Sequence, residues 1–296
     1  MQLLRTLVFS LASCKLVDHS TGSIKTHDGL SLFTQSWTPK THVRATVFLA
    51  HGYAEHSGRY EFLANSLTKV GIRLVTHDSR GHGKSGGDRG LIPNINVLTE
   101  DFKQVVEFER THNPVGRPII LFGHSMGGLV ATMLAVNEPD LHELLVISSP
   151  FFRPTLQPAK WQVAMIRLIA NVFPNLPVTN FDSNELSRIS EVVRLYDEDP
   201  LVYRGWLKAR SAFSLINGGK AAFLRTKDLK RPLLVVHGGR DPTASPSVSS
   251  DFVAKAAPAD KTLQIYKDSL HEVFNDLDGP KALDNVVTWI ENRIGT

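Results

Sequence analysis

The sequence is short of several things at once. Among its 296 residues there is a single cysteine, Cys14, which excludes an internal disulfide and a cysteine metal cluster. No apolar run is long enough to span a bilayer. No repeat and no low-complexity tract is present. Net charge is only +4, and the aromatic residues are not interleaved with basic clusters, so nucleic acid is not an expected partner. No metal-ligand pattern appears, and His77, Asp78 and His82 fall in a turn-rich loop; neither a metal nor an organic cofactor is expected. What the chain does have is 42% hydrophobic residues, enough for a sizeable core in one large or two modest domains.

The one cysteine has a suggestive address. Met1 to Arg5 carries one positive charge, Thr6 to Ala12 is mostly apolar, and Ser13 precedes Cys14. This resembles a bacterial lipoprotein signal, although the apolar run is short for secretion. The plain alternative is an N-terminal extension, residues 1–20, that packs as a short helix. The corresponding expectations are a cytoplasmic protein peripheral to a membrane, or one lipid-anchored through Cys14.

Beyond it, strand and helix signals alternate. Leu30 to Trp37 alternates polar and apolar residues after a turn at Asp28-Gly29, and reads as a hairpin with Ser23 to Thr26. Ala45–Ala50 is a continuous apolar run, as buried parallel strands show, and Ile72–His77, Ile119–Phe122, Leu144–Ser148, Leu233–Val236 and Leu263–Tyr266 read as further strands. Tyr60–Val70, Val97–Arg110, Gly127–Val136, Ser247–Ala256 and Lys281–Ile294 have helical spacing. The expected fold class is α/β: a mostly parallel central sheet flanked by helices.

The segment 151–230 breaks this rhythm. It is proline-rich, lacks a clear buried strand, and contains an apolar helix candidate, Trp161 to Phe173. It reads as a helical cap inserted between core segments 21–150 and 231–296, because ligands enter such sheets at the carboxyl ends of the strands. Trp161, Met165 and Ile169, with Ile166 and Phe173, are expected to line an acyl-chain path or to face lipid. Residues 151–231 hold 13 Lys and Arg against 7 Asp and Glu, so this part is basic and the remainder slightly acidic. That suits transient contact with an anionic membrane surface, or equally a solvated basic face.

The chemistry is concentrated at Gly123-His124-Ser125-Met126-Gly127, between an apolar strand and a helix. This is the nucleophile-elbow arrangement. Side chains two residues either side of Ser125 would collide with the sharp turn, so glycines stand there. A serine needs a base and a group to orient it. On such a sheet these follow in the order Ser, Asp or Glu, His. Asp241 leaves the strand ending at Val236, and His271 leaves the strand ending at Tyr266, in that order. Asp268 reads as a loop-shaping residue, and His124 and His237 as packing or supporting groups. Two backbone amides must bind the developing oxyanion. Those of Met126, after the nucleophile, and of Tyr53, in the loop after the third strand, are the candidates.

Three further blocks carry a family resemblance. His51 to Tyr60 (HGYAEHSGRY), Asp78 to Ser85 (DSRGHGKS) and Asp197 to Tyr203 (DEDPLVY) join the GHSMGG elbow in a fixed order. From about Ser23 to the C-terminus the chain resembles the monoglyceride lipase and lysophospholipase branch of the serine α/β-hydrolases. The resemblance implies a monoacylglycerol- or lysophospholipid-type ester substrate. It also implies that Glu55 and Arg59 border the pocket for a glycerol-like head group. One departure is Ala54, where the family usually has glycine. The expected reaction is a two-step acyl transfer through Ser125. A short-chain carboxylesterase, an aminopeptidase using Glu55, Glu198 or Asp199 to hold an amine, an acyltransferase, and a ligand-binding receptor on the same fold remain open. Oligomeric state is not legible.

Overall fold

The computed structural model describes residues 17–111 and 118–295. The signal-like stretch Met1 to Cys14 lies outside the described residues. Strand β1 (Val17–Lys25) starts inside the expected N-terminal extension and pairs antiparallel with β2 (Ser31–Pro39) across the Asp28-Gly29 turn. Then come β3 (Ala45–Ala50), α1 (Glu61–Lys69), β4 (Ile72–His77), α2 (Ile95–Arg110), β5 (Ile119–His124), α3 (Met126–Asn137) and β6 (Leu144–Ser148). The inserted segment supplies α4 (Lys160–Val172), β7 (Pro177–Thr179), α5 (Ser190–Glu198), β8 (Leu207–Lys208) and α6 (Ala209–Leu224). The chain returns with β9 (Leu233–Gly238), α7 (Pro246–Lys255), β10 (Lys261–Tyr266) and α8 (Gly279–Ile294).

One sheet organises the molecule, in the order β1-β2-β4-β3-β5-β6-β9-β10, parallel from β4 to β10 with the β1–β2 ribbon antiparallel at one edge. Successive residues of a strand point to opposite faces, and both faces are dry. Phe48, Leu121 and Ile147 pack with α2, α3 and α7 through Phe102, Leu129 and Phe252. Val47, Phe122 and Val146 pack with α1 and α8 through Leu67 and Ile290. Helix α3 is apolar all round and every residue from Met126 to Val136 is buried, as a helix inside a core must be. Helix α2 begins two residues before the periodic signal because Asn94 caps it, its side chain accepting from the Val97 N–H at 3.0 Å.

Strand order reverses between β3 and β5, since β4 lies on one side of β3 and β5 on the other. The carboxyl ends of these neighbours diverge there and leave a crevice, the usual ligand position on such a sheet. Residues of the insertion, among them Ile166, Phe181 and Leu207, line a cavity there. Part of the insertion has its own small cluster, Leu186, Tyr196 and Val202 with Phe181. Helix α6, however, belongs to the main core through Leu215 and Ala222. It approaches so closely at Gly218 and Gly219 that an added Cβ would lie 2.1 Å from the Ile95 side chain and 2.5 Å from the Phe151 and Phe152 carbonyls respectively. Only glycine permits that crossing.

Candidate active site

Ser125 caps the first turn of α3 with φ 52° and ψ −113°, a strained conformation for a side chain-bearing residue. Neighbouring backbone holds it there. Its N–H donates to Ser148 O at 2.9 Å, and its carbonyl accepts from Gly128 N–H at 3.0 Å and Phe151 N–H at 3.2 Å. A Cβ on Gly123 would stand 2.1 Å from Gly127 O, and one on Gly127 would stand 1.9 Å from Ala50 O. The elbow is therefore possible only with glycine at both positions.

Asp241 and His271 come together beside it. Asp241 Oδ2 accepts from His271 Nδ1 at 2.7 Å. Its Oδ1 accepts from the Thr243 and Ala244 amides at 2.8 and 2.9 Å. Burial alone would raise the Asp241 pKa, but the His271 charge and the hydrogen bonds outweigh it and hold the carboxyl well below the usual range. An ionised carboxylate only accepts, so the proton of His271 sits on Nδ1 and Nε2 is left with its lone pair. Burial pushes the His271 pKa down, Asp241 pushes it up, and the net direction is up. His124 is the opposite case: burial, helped by the nearby His271, lowers it to about 4, so it is neutral at pH 7. Its ring lies 5.0 Å from that of His271, centroid to centroid.

The loop after β3 is locked by its own side chains. His51 Nδ1 donates to Gly52 O at 2.6 Å and Nε2 accepts from Ser79 N–H at 2.8 Å. Asp78 accepts from Ser57 N–H at 2.8 Å and from Lys84 N–H at 2.7 Å. The Asp78 block thus pins the His51 block from below. Ala54 has φ 69°, in the left-handed region that favours glycine, and its carbonyl accepts from Tyr203 N–H at 2.7 Å. Met126 is the first residue of α3, so its amide has no acceptor within the helix.

Ser125, His271, Gly52 and Tyr53 open on one cavity of about 550 Å³, within the range of small-molecule sites. Phe151, Ile166, Val178, Leu207, Leu215 and Ile216 make apolar walls.

A family model described as serine aminopeptidase, S33, matches residues 41–278. The chain belongs to this family. It is an α/β-hydrolase by fold as well. Over 266 residues it is 36% identical to a monoacylglycerol lipase of Mycolicibacterium smegmatis, covering 90% of this chain and 95% of the relative. It is 32% identical to human monoglyceride lipase, covering 91% and 89%. The crystal structure of a Paleococcus ferrophilus monoacylglycerol lipase superposes with TM-score 0.77 at 28% identity, covering 92% and 98%.

Several expected pocket residues of this α/β-hydrolase stand elsewhere. Trp161 and Met165 are exposed, at 68% and 49%, and with Ile169 they are not among the cavity-lining residues. One face of α4 looks inward, and Gln162 and Ile166, four apart, occupy it. Trp161 and Met165 lie a step away on the outer side. Glu55 does line the cavity, but its oxygens are taken by Gly52 N–H at 2.7 Å, Tyr60 OH at 2.6 Å and Arg59 at 2.9 Å. Arg59 sits behind the lining rather than in it. Its guanidinium grips Glu272 at 2.6 and 2.8 Å and lies 4.8 Å over the Tyr196 ring. Burial opposes ionisation of Glu272, but Arg59 dominates and holds its pKa below the usual range.

The carboxylates considered for amine recognition are engaged: Glu198 pairs with Arg194, and Asp199 accepts from His56 Nε2 at 2.8 Å. Glu272 went unread in the sequence, and His237, read there as a packing or supporting group, stands against the acid. His237 Nε2 donates to Asp241 Oδ2 at 3.0 Å while its Nδ1 accepts from Ser249 Oγ at 2.7 Å. Glu272 follows His271 directly. The available signals were the four-residue spacing of His237 and Asp241 across a turn, and the acid beside the last histidine.

Proposed function

We propose that the protein is a serine hydrolase that cleaves monoacylglycerols, or related single-chain esters with medium to long acyl groups, through an acyl-enzyme on Ser125. The observation that carries the reading is the hydrogen-bonded pair Asp241–His271 opening on the same apolar-walled cavity as the strained Ser125. The names of the Mycolicibacterium and human relatives, monoacylglycerol lipase and monoglyceride lipase, support the substrate class. In this mechanism Nε2 of His271 takes the Ser125 proton as the hydroxyl oxygen attacks the ester carbonyl. The oxyanion is received by the Tyr53 and Met126 amides. The protonated His271 then gives its proton to the leaving glycerol oxygen, and water, deprotonated by the same nitrogen, releases the acid. Asp241 fixes the tautomer and offsets the positive charge that forms on the ring. Ala54 stays close to the glycine it replaces, because its backbone takes the glycine-like conformation. Residues 151–230 act as the cap. Its exposed Trp161, Met165, Val172 and Phe173 suit transient contact with the lipid surface from which such a substrate is drawn.

A second reading, release of an N-terminal residue from a small peptide, has one observation in its favour: Asp182 and Glu185 also line the cavity. One assay separates the two. Initial rates are measured on glycerol esters from acetyl to oleoyl and on aminoacyl arylamides. Rates that rise with chain length and negligible arylamide cleavage are expected. A maximum at acetyl, or arylamide cleavage faster than any ester, would reject the lipase reading.

A further inference from the structure

A second concavity, about 580 Å³, runs along the outer seam between α4 and α6. Two helical stripes form it. On α4 they are residues at i, i+3, i+4 and i+7 from Lys160, and on α6 residues at three- and four-residue steps from Phe213. Its floor is apolar: Val163, Ala164, Leu168, Phe213 and Ile216. Its polar lining includes Lys160, Arg167 and Lys220, with no carboxylate. Among the described residues none of these three cations has a carboxylate partner within ion-pair distance. The lining of the catalytic cavity has the opposite character. It includes Glu55, Asp182, Glu185 and Glu272 and neither lysine nor arginine. Ile216 belongs to both linings, so its side chain borders the acidic chamber and the basic groove alike.

We propose that this outer groove binds a fatty carboxylate, the acid released in the chamber beneath it. The origin of the acid rests on the ester-hydrolase reading above; the site itself does not. An apolar floor bordered by cations without carboxylate partners matches a ligand with one charged end and a methylene chain. Hydrolysis creates that charge inside a chamber whose four carboxylates exceed the one cation, Arg59, that pairs two of them, and the excess repels it. The cations line the groove that Ile216 also borders. At physiological ionic strength the screening length is about 8 Å, so an anion against Ile216 still senses charges within that reach. Helix α4 is lightly held, with Ala170 its one buried residue, and such elements open at little cost. The acid passes Ile216 as the seam parts, and lies with its chain along the floor and its carboxylate among Arg167, Lys220 and Lys160.

The test is binding of oleate, enriched with carbon-13 at the carboxyl, to the full chain, followed by NMR below the micellar concentration. Arg167→Glu combined with Lys220→Glu is expected to weaken oleate binding at least about tenfold. Binding of oleyl alcohol, which has the chain without the charge, is expected to be unchanged. Both positions are exposed, and Arg167→Gln with Lys220→Gln gives a milder pair should charge reversal disturb folding. Oleate affinity retained in the substituted protein overturns the proposal. So does loss of binding to phosphatidylglycerol vesicles with oleate affinity intact, which makes the groove a membrane contact. Turnover is not required, so an inactive protein would reject the hydrolase reading and leave this result standing.

Discussion

Asp241 is the most heavily bonded side chain of the candidate site, and its partners set the behaviour of His271. The backbone amides of Thr243 and Ala244 hold one oxygen, and two histidines share the other. Burial works against a charged His271, yet Asp241 carries the pKa above the ordinary value. The base must be neutral to act. Activity is therefore absent when pH is low and returns as pH rises through that raised pKa. The kcat/KM profile is expected to have its midpoint above the ordinary histidine value of about 6.5. Asp241→Asn removes the upward push, so kcat should fall by roughly 10⁴-fold and any residual activity should titrate at lower pH. A flat profile from mildly acid to mildly basic pH would contradict the role given to His271. Ser125, Asp241 and His271 were legible as candidates because each follows a strand, in a fixed order. His237 was legible only as a packing or supporting group, and its partner was not, because Asp241 lies across a turn. Whether Trp161, Met165 and Ile169 line the cavity or face outward was not legible, because an apolar helix shows its period but not which of two apolar faces looks inward.

At the scale of elements, the elbow is where local geometry and chemistry constrain each other most. Gly127→Ala would drive a methyl into Ala50 O. Ala50 lies in a fully buried strand, so it has nowhere to retreat. Loss of stability of more than about 3 kcal/mol is expected, read as a lower denaturation midpoint or failure to accumulate folded protein. A variant with unchanged stability would mean the turn is looser than described. The buried strands and amphipathic helices were readable from period alone. The rest of β1 was not, because residues such as His19, Ser20 and Thr21 are polar and exposed on an edge. β7 and β8 were unreadable because they are two or three residues long and exposed or half-buried. α6 escaped because the Gly218-Gly219 pair lowers helix propensity just where the helix crosses the core.

Across the whole molecule the inserted segment is tied to the two loops that carry the candidate chemistry. Tyr203 N–H reaches Ala54 O in the loop after β3. Glu272 N–H reaches Leu186 O at 2.9 Å. Arg188 grips Asp276 at 2.9 Å and Asp278 at 3.0 Å, on the chain just after His271. Asp276 has no solvent exposure of its side chain, so removing its cation leaves a buried carboxylate short of a partner. Arg188→Ala is expected to cost about 2–4 kcal/mol in a denaturant titration and to lower kcat more than it raises KM, since it loosens the loop that positions the base. Unchanged stability with unchanged kcat would show that the inserted segment and the loop after His271 are independent. These ties were invisible in the sequence, where Arg188 and Asp276 stand far apart among unremarkable charges.

Everything assigned to the cavity depends on Ser125 being the nucleophile. Treating the folded protein with a fluorophosphonate and mapping the adduct by peptide mass spectrometry tests this directly. A single adduct on Ser125 is expected, formed in the intact protein and absent after unfolding or in Ser125→Ala. No adduct on folded protein, or one on another serine, would contradict it.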